Sequence, residues 1–135
     1  SHAAVQRVGR VGDGWLVSGA TPQEVREGRK VIFDTAAQNA RVIEDDHIGA
    51  LVGYYVCPNL EEAVPKAYDY VTRHRPNVYF TEYSALGPPD RIAETIQRYI
   101  EAGVSKFVVR PLCPAEETVE QLDILGREVL PQFHK

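Results

Sequence analysis

The clearest pattern of apolar and polar positions lies between Gly87 and Leu112, GPPDRIAETIQRYIEAGVSKFVVRPL. Ile92, Ala93, Ile96, Tyr99 and Ile100 recur at three- and four-residue spacing, which predicts a helix with one apolar stripe. Pro89 suits the first turn, where a missing N–H costs nothing, and Asp90 and Glu94 lie near the positive end of the helix dipole. Gly103 is placed to end the helix as a left-handed cap. Phe107, Val108 and Val109 then form a continuous apolar run, as for a strand covered on both faces. Helix, glycine turn and buried strand make half of a βαβ unit. The rest of the chain is expected to repeat that unit around a parallel sheet.

The same two periods recur upstream. Ala3 to Val11 predicts a short helix with Ala4, Val8 and Val11 on one side. Asp13-Gly14 signals a turn before a short strand, Trp15 to Val17, closed by Ser18 and Gly19. Thr21-Pro22-Gln23-Glu24 offers a capping box with proline at the first helical position. It predicts a helix to about Gln38, with Val25, Val31, Ile32 and Ala36 inward. Ile48 to Val56 is apolar nearly throughout and predicts a second buried strand.

Asn59 and Glu62 repeat the capping signature ahead of a helix bearing Leu60, Ala63, Val64, Ala67, Tyr68 and Val71. Pro65 inside it predicts a kink or a later start. His74 is expected to place a favourable charge at the end of this helix. Arg75 to Leu86 is the least regular stretch, and Tyr79, Phe80 and Tyr83 there either pack beneath a loop or cover a cleft. Glu116 to Leu130 predicts a final helix with Val119, Leu122, Leu125 and Val129 inward. This alternation predicts an α/β fold with about three parallel strands. No linker divides residues 1–135, which are expected to form a single unit.

Composition narrows the function. The chain has 135 residues, 44% hydrophobic and 25% charged, as expected of a globular domain with its own core. No apolar run approaches the roughly 18 residues of a membrane helix, and Ser1 to Arg10 lacks the apolar centre of a signal peptide. A cytoplasmic protein without a membrane partner is expected. A net charge of −4, with no basic stripe interleaved with aromatics, argues against a nucleic-acid partner. Cys57 and Cys113 form no CxxC pair and are expected to be free thiols. Glu44, Asp45 and Asp46 read as a solvated acidic run, and no metal site is expected. GxSxG and HExxH are absent, and the glycines of GRVGDG precede a strand without GxGxxG spacing.

Three segments resemble the C-terminal portion of the luciferase-like flavin monooxygenase superfamily, which includes deazaflavin-dependent oxidoreductases. AAVQRVGRVGDGWLVSGATPQEV resembles its helix, Gly-Asp-Gly-Trp turn, strand and Thr-Pro-x-Glu helix start. ALGPPDRIAETIQRYIEAGVSKFVVRP resembles the approach to the last barrel strand, and LDILGREVLPQF the closing helix. Pro88 departs from the Ser or Thr usual before the second helix start and removes a side-chain cap. The resemblance implies part of a (β/α)8 barrel, whose full form takes about 250 residues. It also implies reduced FMN and oxygen acting on a small organic substrate or, alternatively, deazaflavin-dependent hydride transfer. A third reading is a non-catalytic barrel fragment that acts only in assembly. A barrel enzyme for phosphorylated sugars is disfavoured, because VGYYVCPN is a poor phosphate loop.

Chemistry in such barrels collects at the C-terminal ends of the strands. Those ends carry Ser18, Tyr55, Cys57, Arg110 and Cys113. Arg110 suits a phosphate or anionic ligand through a bidentate contact, or else an ion pair at the rim. Ser18 either joins it at the cofactor or satisfies backbone at its turn. Tyr55 and Cys57 are the candidates for substrate contact, Tyr55 either stacking near a ring system or packing as an inward core tyrosine. No catalytic residue is identified, in keeping with reactions that rest on the flavin itself. A short run of strands leaves raw sheet edges and an uncovered apolar face. Self-association, or pairing with the rest of a barrel, is therefore expected, and the fragment alone is expected to be inactive.

Overall fold

A computed structural model describes residues Ser1–His134. The elements in chain order are α1 (His2–Val11), β1 (Trp15–Ser18), α2 (Pro22–Gln38), β2 (Ile48–Val56), α3 (Leu60–Tyr68), β3 (Ser84–Gly87), α4 (Pro89–Glu101), β4 (Lys106–Pro111) and α5 (Thr118–Ile124). β2 is the spine of a four-stranded sheet, with β1, β3 and β4 all paired to it. β1 and β3 lie parallel to β2, Trp15 opposite Ile48 and Ser84 opposite Gly53. β4 also runs parallel, since Ser105 N–H donates to the Ile48 carbonyl and Leu112 N–H to that of Tyr54.

The chain forms two compact units. The first contains Ser1–Leu51 and Arg98–Val108. In it α1 packs on α2, and Ile32, Ala36 and Ile43 form a core with Val5, Val8, Trp15 and Phe33 against it. Thr21 caps α2 as its sequence predicts: its hydroxyl accepts from Glu24 N–H at 3.2 Å while Glu24 accepts from Thr21 N–H at 3.0 Å. Val25 and Ile32 are fully buried, each worth about 1.5–3 kcal/mol of apolar burial. Gly103 ends α4 with φ 106°, in the left-handed region that a Cβ disfavours.

The second unit contains Val52–Gln97 and the described residues from Val109 on. Its main core gathers Tyr55, Ala63, Ala67, Phe80, Tyr83 and Leu112. Asn59 caps α3, accepting from Glu62 N–H at 2.9 Å. His74 lies beyond α3, bonds the Tyr68 carbonyl at 3.0 Å and stacks on the Tyr68 ring.

The structure corrects several expectations. A fourth strand, β3, begins at the end of the segment that read as irregular; its four residues are all buried. α3 begins at Leu60 despite Pro65 and ends before Val71. β4 is not covered on both faces: Lys106, Val108 and Arg110 are exposed and alternate with half-buried Phe107, Val109 and Pro111. α1 turns Val5, Val8 and Gly9 inward and leaves Val11 72% exposed, because glycine permits the closest approach to α2. The final helix breaks into α5 and a wide turn at Leu125–Val129. It buries Gln121, Leu125 and Val129, while Val119 is 78% and Leu122 48% exposed. Ile100 at the end of α4 is exposed.

Tyr54 is 1% exposed, and its hydroxyl has no hydrogen-bond partner. Burial first, then the nearby Cys113 thiol, pushes its phenol up to about 12. The raised folded value means that its contribution is whole below the ordinary pKa of about 10 and fades as pH rises through about 12. Tyr54→Phe removes an unsatisfied buried hydroxyl. Stability at neutral pH is expected to hold or rise by up to about 1 kcal/mol. Urea midpoints between about pH 8 and 12 should fall less steeply for the variant. A loss above about 2 kcal/mol at neutral pH would reveal a partner for this hydroxyl.

Candidate functional site

Two arrangements in the second unit surround strand ends. Along β4, six steps of β2 from Ile48 to Tyr54 are matched by seven steps from Ser105, just before β4, to Leu112, just after it. One residue of β4 is therefore extra, a bulge. Pro111 has no N–H to give the ladder, and Leu112 takes up the bond to Tyr54 instead. Bulges re-aim the side chains beside them. Arg110 is the neighbour here. Its Nη1 donates to the Tyr70 carbonyl at 3.0 Å and to Thr72 Oγ1 at 2.7 Å. Both acceptors are neutral, and among the described residues Arg110 forms no ion pair. A held guanidinium with uncompensated charge suits an anion.

At the end of β2, Gln121 reaches back from α5. Its side-chain oxygen accepts from Val56 N–H at 2.7 Å and its amide donates to the Val56 carbonyl at 2.9 Å. The side chain acts as one more residue of sheet, closing the edge beyond β4. Tyr55 Oη donates to Glu117 at 2.7 Å, and Cys57 Sγ to Glu62 at 3.4 Å. Tyr55, Cys57, Pro58, Lys66, Glu117 and Gln121 belong to the wall of a cavity of about 370 Å³.

Burial above all keeps the Tyr55 phenol and the two thiols neutral. Burial and the bond to Glu117 push the Tyr55 phenol well above its ordinary range. Burial and the bond to Glu62 raise the Cys57 thiol, and burial raises Cys113. A thiol with a raised pKa is a poor nucleophile, so Cys57 and Cys113 are contact groups at most. Both are free and buried. Among the described residues, no cluster of His, Cys, Asp or Glu could hold a metal ion. No helix there is long and apolar enough to cross a membrane.

Of the sequence candidates, Tyr55 and Cys57 meet at one cavity. Arg110 stands at its own strand end with Tyr70 and Thr72. Ser18 lies in the first unit, exposed, on the face it shares with its register partner Leu51. The sequence reading missed Gln121, Glu117 and Thr72. Gln121 had a signal, a polar residue four and eight positions before the apolar Leu125 and Val129; Thr72 had none.

No family model matches the chain, and no curated protein does. Solved structures do. A coenzyme F420 dependent tetrahydromethanopterin reductase from Methanopyrus kandleri superposes with TM-score 0.70 at 17% identity, over 98% of this chain and 49% of that one. A monooxygenase from Streptomyces bottropensis gives 0.70 at 15%, over 98% and 46%. The oxygenating constituent of 3,6-diketocamphane monooxygenase of Pseudomonas putida, in complex with FMN, gives 0.65 at 12%, over 95% and 45%. The chain thus spans about half the length of these structures. Its fold, a parallel sheet with flanking helices, is that of part of a (β/α)8 barrel.

Proposed function

We propose that this chain belongs to a luciferase-like, flavin-dependent oxidoreductase and supplies part of its cofactor and substrate surface. Residues 1–135 are read as the C-terminal segment of that barrel. The observation that carries this is Arg110. It sits where the barrel places its chemistry, beside a bulge, oriented by Tyr70 and Thr72 and without a carboxylate. That arrangement fits the phosphate of FMN or of a deazaflavin coenzyme. Ser18, at the end of β1, is assigned to the cofactor as a hydroxyl donor. Tyr55 and Cys57 are assigned to the substrate, a small organic molecule entering the cavity they line. When bound, the reduced flavin supplies the electrons for oxygenation; with a deazaflavin the reaction is hydride transfer without oxygen. The residues named here bind, orient and exclude water, and none needs to accept a proton.

Turnover is assigned to the whole barrel, and this chain alone is expected to be inactive. It associates with a second copy or with the remainder of a barrel. Leu16, 62% exposed, and Val108, 48% exposed, leave apolar strand surface uncovered in the first unit and support that association.

The test is a fluorescence titration with FMN, riboflavin and a deazaflavin coenzyme. FMN is expected to bind more tightly than riboflavin, which lacks the phosphate. Arg110→Ala should abolish that difference, a loss of about 10- to 100-fold from one charge-assisted contact. Riboflavin bound as tightly as FMN would remove Arg110 from the cofactor. Uptake of no flavin or deazaflavin would favour the rival reading, a non-catalytic barrel fragment.

A further inference from the structure

Some exposed helical charges are paired along their own helix: Lys30 with Asp34, Lys66 with Glu62, Arg127 with Asp123. Two surfaces instead set exposed apolar side chains beside charges of one sign that make no ion pair among the described residues. On the segment leading through α5, Val119 is 78% and Leu122 48% exposed, three positions apart on one face. Glu116 and Glu120 beside them are exposed and make no ion pair among the described residues. On α1, Val11 is 72% exposed, and Arg7 and Arg10 are exposed and equally unpaired. α1 contains no acidic residue.

We propose that these surfaces meet: the α1 face of one copy docks on the α5 face of a second copy. This rests on the association proposed above and names its surface and its partner. Each side offers an apolar centre and two unpaired charges, cationic on α1 and anionic on α5. Lone apolar side chains on a surface are ordinary. Here each lies beside like charges that the chain leaves without partners, and the opposite set is carried elsewhere on the same chain. The contact joins two different faces, so it is heterologous: it closes when each copy engages both faces and otherwise extends into open chains.

Sedimentation equilibrium on the whole chain tests this, using two charge-reversed variants. One carries Glu116→Lys with Glu120→Lys, the other Arg7→Glu with Arg10→Glu. All four positions are exposed, so folding should be preserved, which circular dichroism checks. The native chain should associate, less strongly at high salt. Each variant alone should associate about tenfold more weakly, because like charges then face each other. An equimolar mixture of the two should recover association, since every contact again joins opposite charges. A native chain that stays monomeric overturns both the association and this surface. Association that is indifferent to the reversals, or a mixture that fails to recover, overturns the surface alone. Flavin binding is read separately, so neither result depends on Arg110.

Discussion

Gln121→Ala is expected to lower the stability of the chain by about 2–4 kcal/mol. Gln121 is 4% exposed, and its two bonds satisfy both backbone groups of Val56. Truncation leaves a donor and an acceptor unmatched at a largely buried strand end, and each unmatched group costs about 1–3 kcal/mol. It also frees α5 from β2, so the wall of the cavity should loosen. Gln121→Glu keeps an acceptor for Val56 N–H but presents a second oxygen to the Val56 carbonyl, and should lose at least as much. Urea unfolding gives the answer directly. A loss below about 0.5 kcal/mol for Gln121→Ala would mean that water or a backbone shift replaces the amide.

Gly9→Ala should destabilise the chain by about 2 kcal/mol, against the usual sign. In a helix interior alanine is normally favoured over glycine by about 1 kcal/mol. Here a Cβ at Gly9 would lie 2.7 Å from the Ile32 carbonyl oxygen and 2.6 Å from Thr35 Cβ. Neither atom is the free end of a flexible side chain, so α1 must move away from α2. That movement opens the core around Ile32 and Ala36. Gly9→Val should cost more, since its second branch meets the same wall. A thermal unfolding scan in which Gly9→Ala gains stability would show that the two helices are farther apart than described.

Much of this architecture was legible in the sequence, and the reasons are local. The capping box at Thr21 and the glycine at 103 fix helix ends through bonds between near neighbours, so they can be read from a few residues. The nearly unbroken apolar run of β2 marks a strand buried by its surroundings. β3 was invisible because four residues carry little period, and Ser84-Ala85-Leu86-Gly87 lacks β-branched side chains. The inward face of the last helix was misread because apolar count favoured Val119 and Leu122. A single polar residue, Gln121, faces inward instead, through two backbone bonds that no periodicity displays. Val108 was expected to be covered because an apolar run says nothing about whether a partner is present to cover it.

The candidate site divides the same way. Strand ends could be located, so Arg110, Ser18, Tyr55 and Cys57 could be named. The groups that orient them come from distant segments: Thr72 lies 38 positions from Arg110, and Glu117 lies 62 from Tyr55. Such pairs form only once the chain has folded.

The central claim is that a flavin phosphate rests on Arg110 at the end of β4. A crystal structure of the chain with FMN tests it most directly. The phosphate oxygens should lie about 2.8 Å from the Arg110 guanidinium, with Tyr70 and Thr72 still holding its other side. A phosphate bound elsewhere, or Arg110 turned to a carboxylate while FMN sits in place, would contradict the account.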